Sequence, residues 1–212
     1  MIRPRGVLIF VLASLLMLVS CSTSNPDAAK KADETAQPAA SPATGTYKVL
    51  LATSKGDITI EVHRDWAPIG AQRFYELVQA GYYDQARFFR YVPNFIVQFG
   101  LAADPAVTKK WDTPIEDDPV TQTNRPGYLS FATAGPRTRT TQLFINLGHN
   151  QSLDGQGFAP FAKVIDGEDV PGKLYSGYGE QPDQDAIHTQ GNAYLLQSYP
   201  KMDYIKTAKV VQ

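Results

Sequence analysis

The stretch from Tyr47 to His63 constrains the fold more than any other part of the chain. Tyr47, Val49 and Leu51 alternate with Lys48 and Ala52, Leu50 being the one apolar residue on the polar side. Ser54-Lys55-Gly56-Asp57 then reads as a turn, and Ile58, Ile60 and Val62 alternate strictly with Asp57, Thr59, Glu61 and His63. Period-two alternation on both sides of a Gly-containing turn is a β-hairpin with one apolar face. A hairpin cannot bury that face alone, so more sheet or a covering helix has to follow.

The rest of the chain supplies both. Asp65 is placed to cap a helix that has Pro68 in its first turn, repeats Phe74, Leu77 and Val78 at helical spacing and stops at Gly81. Strands are expected at 87–92, 95–100, 127–133, 142–147, 161–165 and 204–211, with a second short helix near 169–175. The expected fold is mainly β: a closed eight-stranded antiparallel β-barrel with two capping α-helices. Thr108 to Pro119 and Ser176 to Gln190 read as surface elaborations, and Glu116-Asp117-Asp118 as a solvated acidic loop.

Aromatic residues mark where this domain begins. The chain holds 10 Phe, 11 Tyr and 2 Trp, and apart from Phe10 all lie at or after Tyr47. Ser22 to Gly45 contains no hydrophobic residue larger than Ala. Such a segment cannot bury enough surface to offset the entropy of ordering, so it reads as a disordered tether. The folded domain is 46–212, long enough to bury about 70% of its unfolded surface.

The N-terminus carries a different signal. Arg3 and Arg5 precede an apolar run from Val7 to Val19 broken only by Ser14. It falls short of the roughly 20 residues needed to cross a bilayer, and fits the apolar region of a secretory signal peptide. It ends Leu18-Val19-Ser20-Cys21 and resembles the bacterial lipobox. That resemblance implies a signal peptide over 1–20, lipidation of Cys21, and a lipidated Cys and tether over 21–45. Three acyl chains exceed the two signals that stable anchoring requires. Ser22, rather than Asp, favours the outer membrane, facing the periplasm, in a cell with two membranes.

Composition removes other classes. Lys and Arg total 20 against 21 Asp and Glu, a net charge of −1 that lacks the basic excess of a nucleic-acid binder. One Cys permits no internal disulfide and no Cys-rich zinc site, and the three His are scattered, so neither metal nor cofactor is expected.

Polar residues inside apolar strands mark a site. Arg90 lies in Phe88-Phe89-Arg90-Tyr91-Val92, where strand alternation puts it on one face with Phe88 and Val92; Gln98 interrupts Phe95-Ile96-Val97-Gln98-Phe99. Gln142 and Phe144 share one strand face, while Leu143, Ile145 and Leu147 share the other, core-like face. Burying such polar groups is costly unless they are partnered or used.

Phe88 to Gly100, Pro126-Gly127-Tyr128-Leu129-Ser130-Phe131-Ala132-Thr133-Ala134-Gly135-Pro136 with Thr141 to Ile145, and Leu153-Asp154-Gly155-Gln156-Gly157-Phe158-Ala159-Pro160-Phe161 resemble, in order and spacing, the cyclophilin signatures. The resemblance runs from about Tyr47 to Val211. It implies a peptidyl-prolyl cis-trans isomerase that assists folding of proline-containing polypeptides, works as a monomer and uses no cofactor. Arg90 then matches the catalytic Arg and Gln98 the glutamine that orients it. Phe95, Ile96, Phe144 and Leu153 match the proline pocket, Ala132, Thr133 and Ala134 the strand edge along the substrate groove, and Gln142 its second pocket.

Four positions depart from the family's animal members. Phe89 stands where they carry His, and Thr133 where they often carry Asn. Ser152 replaces a Trp that contributes to cyclosporin binding, and Gly157 or Phe158 occupies the region of a second His. A tethered proline-peptide-binding or chaperone module with little isomerase activity is the main alternative. A hollow lipocalin-type barrel is a weaker one, because the Gly-Pro and Leu-Asp-Gly loops do not suit it.

Overall fold

The computed structural model describes residues 45–211. The expected signal peptide, Cys21 and nearly all of the tether lie outside the described residues. The hairpin forms as its alternation dictates: β1 (Thr46–Thr53) pairs antiparallel with β2 (Gly56–His63), Val49 opposite Ile60 and Leu51 opposite Ile58. Val49, Leu51, Ile58, Ile60 and Val62 are fully buried. Six further strands complete one antiparallel sheet: β3 (Arg90–Val92), β4 (Ile96–Phe99), β5 (Tyr128–Phe131), β6 (Leu143–Asn146), β7 (Pro160–Asp166) and β8 (Ile205–Val211). Their order is β3-β4-β6-β5-β7-β2-β1-β8.

The sheet curls into a half-barrel rather than the closed barrel expected from the sequence. Its edge strands β3 and β8 share no ladder. The chain just before β3 meets the chain just before β8 through one isolated bridge, Arg87 to Tyr204, and through Phe88 N donating to Asp203 O at 3.1 Å. Beyond that point the outer edge of β3 is taken: Tyr91 N donates to Gly179 O at 2.9 Å. A segment expected to be a surface elaboration thus occupies the hydrogen-bonding edge that closure would need.

Helix α1 (Pro68–Gln79) covers one side of the sheet and buries Ala71, Phe74, Leu77 and Val78, with Phe74 5.2 Å from Phe161. Its cap is not Asp65. The carboxylate of Asp118 accepts from Ile69 N at 2.9 Å and Gly70 N at 2.8 Å, and Arg139 pairs with it at 3.1 Å. Asp118 is therefore a buried architectural residue, not part of a solvated acidic loop.

The helix count also exceeds two. Among the described residues there are five α-helices and one 3-10 helix: besides α1, α2 (Pro105–Trp111), the 3-10 turn Gln151–Gln156, α3 (Val170–Lys173), α4 (Gln184–Gln190) and α5 (Asn192–Ser198). The helix expected near 169–175 is the four-residue α3. Helices α2 and α4 are started by Asp104 and Asp183, whose side chains accept from Ala106 N at 2.8 Å and Ala186 N at 3.0 Å. From α4 and α5, Ile187 and Leu195 pack with Leu101, Met202 and Phe89 in a small second core. Phe89 is 1% exposed there, which explains an apolar residue at that position.

Candidate active site

Register places the polar side chains together. β3 pairs with β4 so that Arg90 faces Gln98, and β4 pairs with β6 so that Gln98 faces Phe144. Arg90 Nη1 donates to Gln98 Oε1 at 3.2 Å, and Gln98 Nε2 donates to Gln142 Oε1 at 2.8 Å. Arg90 keeps about a quarter of its side chain open, at 27% exposure, whereas Gln98 is buried. A relay of two amides thus fixes a guanidinium that still has N–H groups to offer. The strand face differs from the expected one in one respect. Phe88 packs in the main core with Tyr91, so the alternation breaks between Phe88 and Arg90. Only residues 90–92 are strand, and the preceding residues lie outside the ladder.

Beside this relay lies an apolar floor. Ile96, Phe144 and Leu153 form a buried cluster with Phe95, Ala132 and Phe158 packed against it. Phe144 and Phe158 meet edge-on with ring centres 5.7 Å apart. Relay and floor line one groove of about 470 Å³. Arg90, Phe95, Ile96, Gln98, Ala132, Thr133, Ala134, Gln142, Phe144 and Leu153, all singled out from the sequence, border it. Phe158, Gln156, Thr138, Thr140 and Gln184 border it too and were not expected. Of Gly157 and Phe158, Phe158 lines the groove, so the wall there is aromatic and neutral. Ser152 is exposed and does not line the groove.

The far wall is a polar turn. Ala132 N donates to Gln142 O at 2.9 Å, holding 132–134 alongside β6. The Thr133 hydroxyl is engaged within the turn, 2.8 Å from Thr138 Oγ1 and bonded to Gly135 O. Ala134 N donates to Thr138 Oγ1 at 2.9 Å. The Thr133 side chain thus serves the turn's own geometry.

A buried amide network holds the loop that carries Leu153 and Phe158. Asn124, with no exposure, donates through Nδ2 to Asp154 Oδ1 and to Phe158 O, both at 2.8 Å, and accepts from Ser130 Oγ at 2.9 Å and Asn146 Nδ2 at 3.1 Å. Asn150 Nδ2 reaches Asn146 Oδ1 at 2.7 Å and Phe95 O at 2.8 Å. At Gly148 the backbone runs so close to the Asn94 carbonyl that a Cβ would collide with it, which locks the turn before Phe95 against the strand end beyond Asn146. Asn124 and Asn150 did not stand out in the sequence, because single amides in loops carry no periodicity.

The chain matches the model of the cyclophilin type peptidyl-prolyl cis-trans isomerase family over residues 48–190. The chain belongs to this family. Among its relatives, a peptidyl-prolyl cis-trans isomerase-like 1 of Rhizopus delemar is 40% identical over 130 residues, covering 58% of this chain and 76% of that protein. A peptidyl-prolyl cis-trans isomerase of Acinetobacter baylyi is 35% identical over 132 residues, covering 59% of this chain and 70% of that one. The crystal structure of a cyclophilin type peptidyl-prolyl cis-trans isomerase of Cryptosporidium parvum, in the presence of the dipeptide Ala-Pro, shares the fold. Its TM-score is 0.59 at 24% identity, covering 78% of this chain and 99% of that one. The activity is that of a cyclophilin-type peptidyl-prolyl cis-trans isomerase, and the curled eight-stranded sheet is a cyclophilin-like fold.

Proposed function

We propose that this cyclophilin isomerises X-Pro bonds in polypeptides of a bacterial cell envelope, with Arg90 as the catalytic cation and lipids on Cys21 as the anchor. The Arg90–Gln98–Gln142 relay beside an apolar floor carries the catalytic part. Rotation about X-Pro faces a barrier of about 18–20 kcal/mol from amide resonance. At the twisted transition state resonance is lost and the prolyl nitrogen gains a localised lone pair. A donor fixed beside that nitrogen is worth more then than in the planar ground state. Arg90 is such a donor, and Gln98 holds it in place. The floor of Phe95, Ile96, Phe144 and Leu153 takes the proline ring, while 132–134 and Gln142 run along the peptide. No bond forms or breaks, so the reaction needs no nucleophile and no base.

The anchoring part rests on the lipobox-like Leu18-Val19-Ser20-Cys21 and the Ala/Ser/Pro-rich stretch behind it. Ser22 favours the outer membrane, facing the periplasm, where the cell has one. Cys21→Ser should leave the protein unprocessed or release it from membrane fractions. Unchanged detergent partitioning of that variant defeats the anchoring proposal. A protease-coupled assay of cis-Pro peptide isomerisation, comparing wild type with Arg90→Ala, tests the catalytic assignment.

A further inference from the structure

The guanidinium of Arg90 has a second partner, on the edge away from Gln98. Its Nε donates to Glu180 Oε1 at 2.6 Å, and its Nη2 lies 2.5 Å from the same oxygen. Glu180 comes from the 176–190 elaboration, and its position is built rather than incidental. Tyr91, next to Arg90, donates its N–H to Gly179 O at 2.9 Å, so the residue before Glu180 is tied to the residue after Arg90. Gly179 has φ +55°, in the left-handed region, which turns the chain there. Gln181 N donates to Tyr178 O at 3.0 Å, and Tyr199 OH donates to Gln181 O at 3.1 Å. Tyr178 and Tyr199 pack with ring centres 5.0 Å apart against the second core that contains Phe89. The same core that buries Phe89 therefore supports the turn that carries Glu180. Gln184, four residues on, reaches the groove itself.

We propose that Glu180 is a positioning residue for Arg90, clamping the Nε–Nη2 edge so that the guanidinium presents its remaining N–H groups to the prolyl peptide. This rests on the catalytic reading of Arg90 and deepens it. Gln98 alone holds Arg90 through one hydrogen bond to Nη1, which leaves rotation of the fork about that contact. Glu180 engages the opposite edge, and two contacts on two edges define a plane. The carboxylate also withdraws some positive potential from the groove. Glu180 is 58% exposed, so water screens that loss, whereas ordering a long, flexible side chain is not screened at all. Ordering therefore dominates, and the clamp raises kcat.

The test is a kinetic cycle on the whole protein with a short Ala-Pro-containing peptide, using wild type, Glu180→Ala, Glu180→Gln, Arg90→Ala and Arg90→Ala/Glu180→Ala. Glu180→Ala should lower kcat roughly three- to ten-fold, the size of one net hydrogen bond, with KM and Tm unchanged. Glu180→Gln keeps an acceptor oxygen and should recover most of that loss. In the Arg90→Ala background, removing Glu180 should cost nothing further, because a residue that acts only through Arg90 has nothing left to act on. Wild-type kcat in Glu180→Ala, with Arg90→Ala impaired, overturns the clamp and leaves the catalytic reading standing. Wild-type kcat in Arg90→Ala removes both. Glu180→Gln as impaired as Glu180→Ala would show that charge rather than position matters, and an equal loss in both Arg90 backgrounds would place Glu180 in direct contact with substrate; either result ends the proposal.

Discussion

Among the described residues two arginines pair with carboxylates, and they do opposite things. Arg139 is 3% exposed and pairs at 3.1 Å with Asp118, whose side chain is 1% exposed; Asp118 in turn caps helix α1 through two backbone N–H groups. Arg90 is 27% exposed and pairs with Glu180, which is 58% exposed, while one edge borders a groove. The chemistry is the same and the burial is not. In the first pair the attraction is strong, but the cost of desolvation roughly matches it, so what matters is that neither partner be left alone. In the second the pair contributes little to folding, yet it holds a cation where a substrate can reach it. A buried ion pair joins parts of a fold, whereas a half-open one can orient a group that acts on something else.

Breaking each pair separately should give the largest contrast. Asp118→Asn removes the more deeply buried of Arg139's two carboxylate partners, leaving Asp117 at 3.4 Å, and weakens the helix cap. It should cost about 1.5–3 kcal/mol of stability, the size of hydrogen bonding to a charged group, read by thermal or urea unfolding. Glu180→Gln should cost less than about 1 kcal/mol in the same experiment. Equal losses at the two sites would erase the distinction.

A middle case sharpens it. Asn124 is buried like Asp118, but its hydrogen bonds support the loop that lines the groove. Asn124→Ala leaves the Phe158 carbonyl without its side-chain donor and Asp154 with only the backbone N–H of residue 124, so it should lose about 1–3 kcal/mol of stability and also raise KM for peptide. Loss of stability with unchanged KM would show that the loop holds its shape without the network.

Smaller effects belong to the apolar wall. Phe158→Ala removes an edge-on partner of Phe144 and should weaken peptide binding by about 0.5–1.5 kcal/mol with kcat little changed, as seen in a titration of kcat against KM. Ser152 lies exposed outside the groove, so cyclosporin binding should be weak, and Ser152→Trp should improve it by about 1 kcal/mol, since the new ring is only partly buried. Unchanged affinity in a calorimetric comparison would mean that another side chain already covers that rim.

How far the site could be read from the sequence follows from the same contrast. Arg90 and Gln98 meet through the local pairing of β3 with β4, and they could be picked out because the side-chain period is two, so a polar residue in an apolar strand announces its own oddity; that Phe144 faces Gln98 depends on the non-local pairing of β4 with β6. Asp118 did not announce itself. Its acidic neighbours suggested water, and only the meeting with α1 from 48 residues away makes it a cap. Glu180 is still more remote, 90 residues from Arg90, in a segment with no strong periodicity. Open rather than closed curvature was hidden for a related reason: strand alternation tells which residues face inward, but not that Gly179 takes the edge of β3. Helices α4 and α5 are seven residues each, too short for an apolar stripe to stand out.

The central claim is that Arg90 stabilises the twisted X-Pro bond. The most direct measurement is kcat/KM for Arg90→Ala in a protein whose Tm matches wild type. Removal of one preorganised donor should lower it by about 10²–10³-fold, mainly in kcat. Arg90→Lys should remain substantially impaired, because it keeps the charge and loses the planar fork. Near wild-type kcat/KM in a folded Arg90→Ala protein would contradict the account.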